Sequence, residues 1–183
     1  SAVAAAVTPR TVGISPTQLN GRTCDMDAIM EIARKNDLAV VEDAAQALGS
    51  RFKGKHAGTF GVAGSFSFFP AKVLGCFGDG GGVITNDSQI YEKLYQLHDH
   101  GRDTNGDIKS WGRNSRLDNL QAAILNKRFV RYEHVITRRR AIATLYQEHL
   151  GHLEELQLPP APNSDANHFD VFQNYELQAD SRD

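Results

Sequence analysis

Two residues in this sequence carry chemistry that needs an account. Asp43 sits in the run Val40-Val-Glu-Asp-Ala-Ala-Gln46, where a hydrophobic stretch ends in acids. If that stretch is a strand of an α/β sheet, the Asp43 carboxylate lies at the strand's carboxyl end, outside which such folds gather their ligands. Lys72 ends the run Ser65-Phe-Ser-Phe-Phe-Pro-Ala-Lys72, a strand-like segment broken by a proline, with apolar neighbours on both sides. Lysines are rarely buried without a partner or a task. Each signal alone is weak. A strand-end aspartate is more often a cap or loop anchor, and a lysine after a proline is a surface residue in most proteins.

The elements that must position these residues follow from the pattern of the chain. Val12–Ser15 reads as a short buried strand, followed by a turn-rich loop through Pro16 and Gly21. Asp25 can cap a helix that carries Met26, Ile29, Ile32 and Ala33 on one face and leads into the strand Leu38–Glu42. Further strands are expected at Gly64–Phe68 and Val83–Thr85, with a helix capped by Ser88 and carrying Ile90, Leu94 and Leu97. One long bracing helix is expected over about 116–150, with Leu117, Leu120 and Ile124 and then Ile142, Leu145 and His149 at helical spacing. Pro159, Pro160 and Pro162 break it from a final strand, Phe169–Leu177. Strands alternating with helices imply an α/β layered fold with a mostly parallel sheet.

Composition narrows the field. The 183 residues are 40% hydrophobic and 23% charged, with a net charge of -2, which fits one globular domain and offers no field that would collect nucleic acid. The basic run Arg138-Arg139-Arg140 reads as a solvated helix face. Cys24 and Cys76 belong to no CxxC pattern, so no disulfide scaffold or zinc site is expected, and a reducing cytoplasm suits them. The opening apolar stretch is too short for a membrane span. With no initiator methionine and an end shortly after a strand-like run, the chain reads as a fragment.

Gly78-Asp-Gly-Gly-Gly82 fits neither the dinucleotide nor the P-loop spacing and is expected to make a tight turn beside Lys72. His98, His100 and Arg102 receive no role, and structural histidines are the default. Phe66, Phe68 and Phe69 read as sheet core.

Taken together, the motifs resemble the DegT/DnrJ/EryC1/StrS family of sugar aminotransferases. They run in order through Thr8-Pro-Arg10, Asn20–Ile29, Val41–Gln46, Gly58-Thr-Phe-Gly61, Ser65–Lys72, Gly78–Gly81, His100-Gly101, Asn114–Leu125 and Phe169–Leu177. The resemblance implies fold type I of the pyridoxal-phosphate enzymes, a three-layer sandwich. Residues 1–160 would be a partial large domain and 161–183 the start of a small α+β domain. The family's N-terminal segment and most of its small domain would be missing. It also implies roles: Lys72 as the Schiff-base lysine and base, Asp43 as partner of the pyridine nitrogen, Gln46 packed against the ring, and Ser67 as donor to the phosphate. Asn114 would reach the phosphate of a neighbouring subunit, which makes a homodimer, unless it is simply a cap for the following helix.

The activity implied is transfer of an amino group, with glutamate as donor, to a nucleotide-linked keto sugar in amino sugar or polysaccharide biosynthesis. Two alternatives stand beside it. One is a catalytically incompetent fragment that only folds or dimerises. The other is a sugar dehydratase of the same family, a branch that carries histidine where this chain has Lys72.

Overall fold

The computed structural model describes residues 1–180. In chain order the elements are α1 (Ala2–Ala6), β1 (Gly13–Ile14), a 3-10 turn (Leu19–Gly21), α2 (Met26–Lys35), β2 (Ala39–Asp43), β3 (Arg51–Phe52), β4 (Lys55–His56), β5 (Ala63–Ser67), β6 (Gly81–Ile84), α3 (Ser88–His98), α4 (Asn119–Phe129), α5 (Tyr132–Leu150), β7 (Leu156–Gln157), β8 (His168–Phe169) and β9 (Gln178–Ala179). The main sheet has the order β1-β2-β5-β6; the first two pairings are parallel and β5-β6 is antiparallel.

Helix α2 forms where its pattern demands. The Asp25 carboxylate accepts the Ala28 N–H at 3.1 Å, which satisfies one of the free donors of the first turn. Met26, Ile29 and Ala33 are buried against Val40 of β2 and Phe52 of β3. We expect Asp25→Ala to cost about 1 kcal/mol of stability, measured as a lower urea midpoint with an unchanged slope.

The helix expected over 116–150 is two helices, broken at Val130 and Arg131. Each side is pinned to a different part of the molecule. Arg128 of α4 donates to the Gly75 carbonyl at 2.7 Å, while the Tyr132 hydroxyl at the start of α5 donates to the Leu48 carbonyl. The apolar stripe also differs from expectation. Leu125, Tyr132, Ile136 and Ala143 are buried, whereas Leu120 is 73% exposed. Leu125, Tyr132 and Ile136 join Val73, Leu74, Cys76 and Val171 in the second core cluster. Burial pushes the Tyr132 phenol above its ordinary pKa.

Other expectations are corrected locally. Helix α3 is capped by Asp87, whose carboxylate accepts from Gln89 and Ile90 at 2.8 and 3.1 Å, and Ser88 is the first helical residue. Val12 is 86% exposed, so the first strand is not buried. Phe68 packs on the second core cluster and Phe66 on a small alanine cluster, but Phe69 is about half exposed. Strand structure in Phe169–Leu177 stops at Phe169. Beyond it Phe172 takes φ 51°, and side chains rather than a ladder capture the carbonyls. Arg139 donates to the Phe172 and Gln173 carbonyls at 3.0 and 3.1 Å, and Arg140 to Asp170 at 2.7 Å. These two arginines are therefore structural clamps and not a solvated face.

The same tail returns to the body of the chain. The Val171 N–H donates to the Gly21 carbonyl at 2.9 Å, and a Cβ on Gly21 would stand 2.6 Å from the Gln173 nitrogen, which only glycine allows. Arg22 pairs with Asp170 and Asp165 at 2.5 and 2.9 Å.

Candidate functional site

Strands β2 and β5 lie side by side and parallel, so their carboxyl ends open in the same direction. Asp43 pairs in register with Ser65, and because side chains two residues apart share a face, Asp43, Ser65 and Ser67 line one side of the sheet. Asp43 is held by its backbone: its N–H donates to Pro16 at 3.0 Å and its carbonyl accepts from Gln18 at 2.8 Å. One carboxylate oxygen accepts the Ala45 N–H at 3.1 Å. The other has no hydrogen bond among the described residues.

Gln46 follows on the turn after β2. Its side-chain oxygen accepts the Asn20 N–H at 2.7 Å, which orients the amide and leaves the NH2 group without a partner among the described residues. Ser67 ends β5, and its hydroxyl oxygen accepts the Phe69 N–H at 3.3 Å, so the hydroxyl proton remains available to donate.

Lys72 lies on the tight turn that follows. Its N–H donates to the Phe69 carbonyl at 2.9 Å, and Cys76 donates back to the Phe68 carbonyl at 2.8 Å, which folds Pro70–Gly75 into a compact loop at the end of β5. The lysine is half-buried, and its ammonium takes no part in the ion pairs found among the described residues. The glycine run supplies the return: Gly80 accepts from the Phe68 N–H at 2.7 Å, and Gly81 and Gly82 enter β6.

Asn114 has different neighbours. It is exposed, forms an isolated antiparallel bridge with Asp99, and accepts from Arg116 at 3.3 Å. It does not cap α4, whose N-cap is Asp118. His98 bonds the Tyr95 carbonyl at 2.5 Å within its own helix, as expected of a structural histidine. His100 is exposed with φ 55°, and Arg102 is 3.9 Å from Asp99.

Sequence reasoning missed Glu42. It is fully buried beside Asp43 on the opposite face of β2, and its carboxylate accepts four N–H groups. These come from the Gln18 side chain at 2.7 Å and the backbones of Gly58, Phe60 and Gly61 at 2.8, 2.5 and 3.1 Å. Two of the quoted motifs, Val41–Gln46 and Gly58–Gly61, are thus joined by one carboxylate. Gly61 is required there because a Cβ would overlap the Val40 carbonyl. Burial first, and then the Glu42 charge, pushes the Cys24 thiol above its ordinary pKa. A buried acid in a loop-rich motif was the available signal.

Comparison with known proteins decides the family. The model of the DegT/DnrJ/EryC1/StrS aminotransferase family matches residues 1–183. The chain belongs to that family. It is 44% identical over 181 residues to the UDP-N-acetyl-3-dehydro-alpha-D-glucosamine 3-aminotransferase of Acidithiobacillus ferrooxidans, covering 99% of this chain and 48% of that protein. It is 40% identical to the dTDP-3-amino-3,4,6-trideoxy-alpha-D-glucose transaminase of Streptomyces venezuelae, covering 97% and 46%. Among solved structures, S. venezuelae DesV in complex with a ketimine intermediate superposes with a TM-score of 0.91 at 39% identity, covering 98% of this chain and 48% of DesV. The chain therefore spans about half the length of the relatives it matches.

The fold is the α/β fold type I of pyridoxal-phosphate-dependent aminotransferases, and pyridoxal 5'-phosphate is the cofactor of the DegT/DnrJ/EryC1/StrS family. Among the described residues the groups present fit it chemically: a half-buried amine that makes no ion pair on the turn after β5, a carboxylate oxygen without a hydrogen bond at the end of β2, and a hydroxyl with a free proton at the end of β5. Among the described residues no helix is long and apolar enough to cross a membrane, and no cluster of His, Cys, Asp and Glu could hold a metal ion.

Proposed function

We propose that this chain is the cofactor-binding half of a sugar aminotransferase, which moves an amino group from glutamate to a nucleotide-linked keto sugar in the cytoplasm. The observation that carries the reading is the Lys72 amine, which makes no ion pair among the described residues, on the turn after β5 next to the strand whose end bears Asp43. The names of the relatives, which act on UDP- and dTDP-linked amino sugars, support the substrate class.

When bound, pyridoxal phosphate supplies an aldehyde for an amine and a ring that accepts electrons. Lys72 would hold it through that amine and would serve as the base that moves a proton. The Asp43 carboxylate would hold the ring nitrogen and favour its protonated form by charge. Gln46 would orient the ring through the NH2 group that has no partner among the described residues, and the Ser67 hydroxyl would donate to the phosphate. Asn114, exposed and outside this cluster, completes the phosphate site of a second subunit, so the working unit is a homodimer. Residues 1–160 belong to the large domain. Residues 161–183 begin the small one, and 181–183 of that segment lie outside the described residues.

The test is to add pyridoxal phosphate to the chain, reduce with borohydride, and map the adduct by mass. Modification concentrated at Lys72, with a visible band that shifts on adding glutamate, is the expected outcome. A folded chain with no band and only scattered surface adducts would refute the reading and favour a non-catalytic folded piece.

A further inference from the structure

Gln173 lies far from Lys72 in sequence, on the irregular segment after β8, yet its side-chain amide grips both residues that flank the lysine. Its oxygen accepts the Val73 N–H at 2.8 Å and its nitrogen donates to the Ala71 carbonyl at 2.9 Å. A side-chain amide carries a donor and an acceptor side by side and so can serve both neighbours together. The anchor itself is fixed. The Gln173 carbonyl accepts from Arg139 at 3.1 Å, and the next residue, Asn174, donates to the Asn20 carbonyl at 3.3 Å and through its side chain to the Asn20 side-chain oxygen at 3.0 Å. Asn20 in turn donates from its N–H to Gln46. The turn that carries the amine and the amide proposed to face the ring are thus tied to one short segment near the end of the described chain.

We propose that Gln173 is a positioning residue that fixes the backbone on both sides of Lys72 and so aims its amine at the site. This rests on Lys72 being the cofactor lysine, as proposed above. The loop Pro70–Gly75 is also held by its own turn bonds, by Arg128 at Gly75 and by the buried side chains of Val73 and Leu74, while the Gln173 amide acts on the peptide groups to either side of the lysine itself. Losing it frees the peptide units to either side and lets the amine sample orientations that face water.

Glutamate at this position provides a discriminating probe. Ionised from about pH 5 upward, its carboxylate keeps an acceptor for the Val73 N–H but turns a second acceptor toward the Ala71 carbonyl and repels it. The experiment compares the wild-type chain with Gln173→Ala, Gln173→Glu and Lys72→Ala, each shown to be folded by circular dichroism. Two readouts are taken. Amide hydrogen exchange reports the Ala71–Val73 backbone with no ligand present, and titration with pyridoxal phosphate at pH 5 and pH 8 followed by borohydride mapping reports Lys72.

Faster exchange at Val73 in Gln173→Ala, together with about tenfold weaker cofactor uptake at Lys72, is the result expected. Gln173→Glu, ionised at both pH values, should match the alanine variant at each, relative to wild type at the same pH. A merely structural contact would lower stability without faster exchange at Val73 and weaker uptake at Lys72 in a folded variant. Unchanged exchange at Val73, or unchanged uptake at Lys72 despite faster exchange, overturns the proposal. If the wild type itself takes up no cofactor at Lys72, the role of the lysine fails, and the positioning role fails with it. Loss of uptake in the Gln173 variants alone leaves the lysine's role intact.

Discussion

Lys72→Ala should abolish the borohydride-trapped adduct and lower amino transfer in the assembled enzyme by at least about 10³-fold, since it removes the nucleophile and the proton-transfer base together. The effect is on chemistry and not on folding. The lysine's amine makes no ion pair among the described residues, and its backbone bonds to Phe69 survive the change. Circular dichroism and the urea midpoint should match wild type. Lys72→Arg should be as inactive, because a guanidinium stays protonated and cannot attack a carbonyl carbon. An alanine variant that still gives a visible band shifting with glutamate would remove Lys72 from the mechanism.

The second large effect concerns stability. Glu42→Ala should destabilise the chain by roughly 4 kcal/mol or more, because it strips partners from the Gln18 amide and three backbone N–H groups in a site closed to water. Each orphaned donor costs about 1–3 kcal/mol, and these costs are not additive. A whole domain has only about 5–15 kcal/mol in hand, so partial unfolding at ambient temperature is within reach. Glu42→Gln should fall between, since it keeps one acceptor oxygen and turns an NH2 group toward donors. Denaturant titration checks both. A loss below about 1 kcal/mol for the alanine variant would mean that water replaces the carboxylate, and the clamp between β2 and Gly58–Gly61 would then be incidental.

Glu42 also shows where reading the sequence stops short. Asp43 and Lys72 could be picked out because a strand end and a proline-broken turn leave marks in the chain, whereas Gln46 and Ser67 were visible only through the family resemblance; Asp43 and Ser67 end neighbouring strands, and Gln46 and Lys72 follow on the turns after them. Helix α2 was legible for the same reason: a capping acid and a one-sided apolar stripe are local signals. Glu42 was not, because its four donors come from loops whose approach depends on tertiary packing. The break between α4 and α5 was hidden because continuous helical spacing does not record that Arg128 and Tyr132 are pulled toward different anchors. The tail after Phe169 read as a strand because its side chains alternate suitably. Its carbonyls are claimed instead by Arg139 and Arg140 from a neighbouring helix.

The tie between Gln173 and the Lys72 turn has a consequence for the birth of the protein. The bond to Val73 spans 100 residues. A nascent chain leaving the ribosome at about 5–20 residues per second therefore carries the lysine turn without its clasp for on the order of 10 s. During that interval all four strands of the main sheet are already synthesised, while the peptide groups beside Lys72 still lack the amide that bridges them in the folded chain.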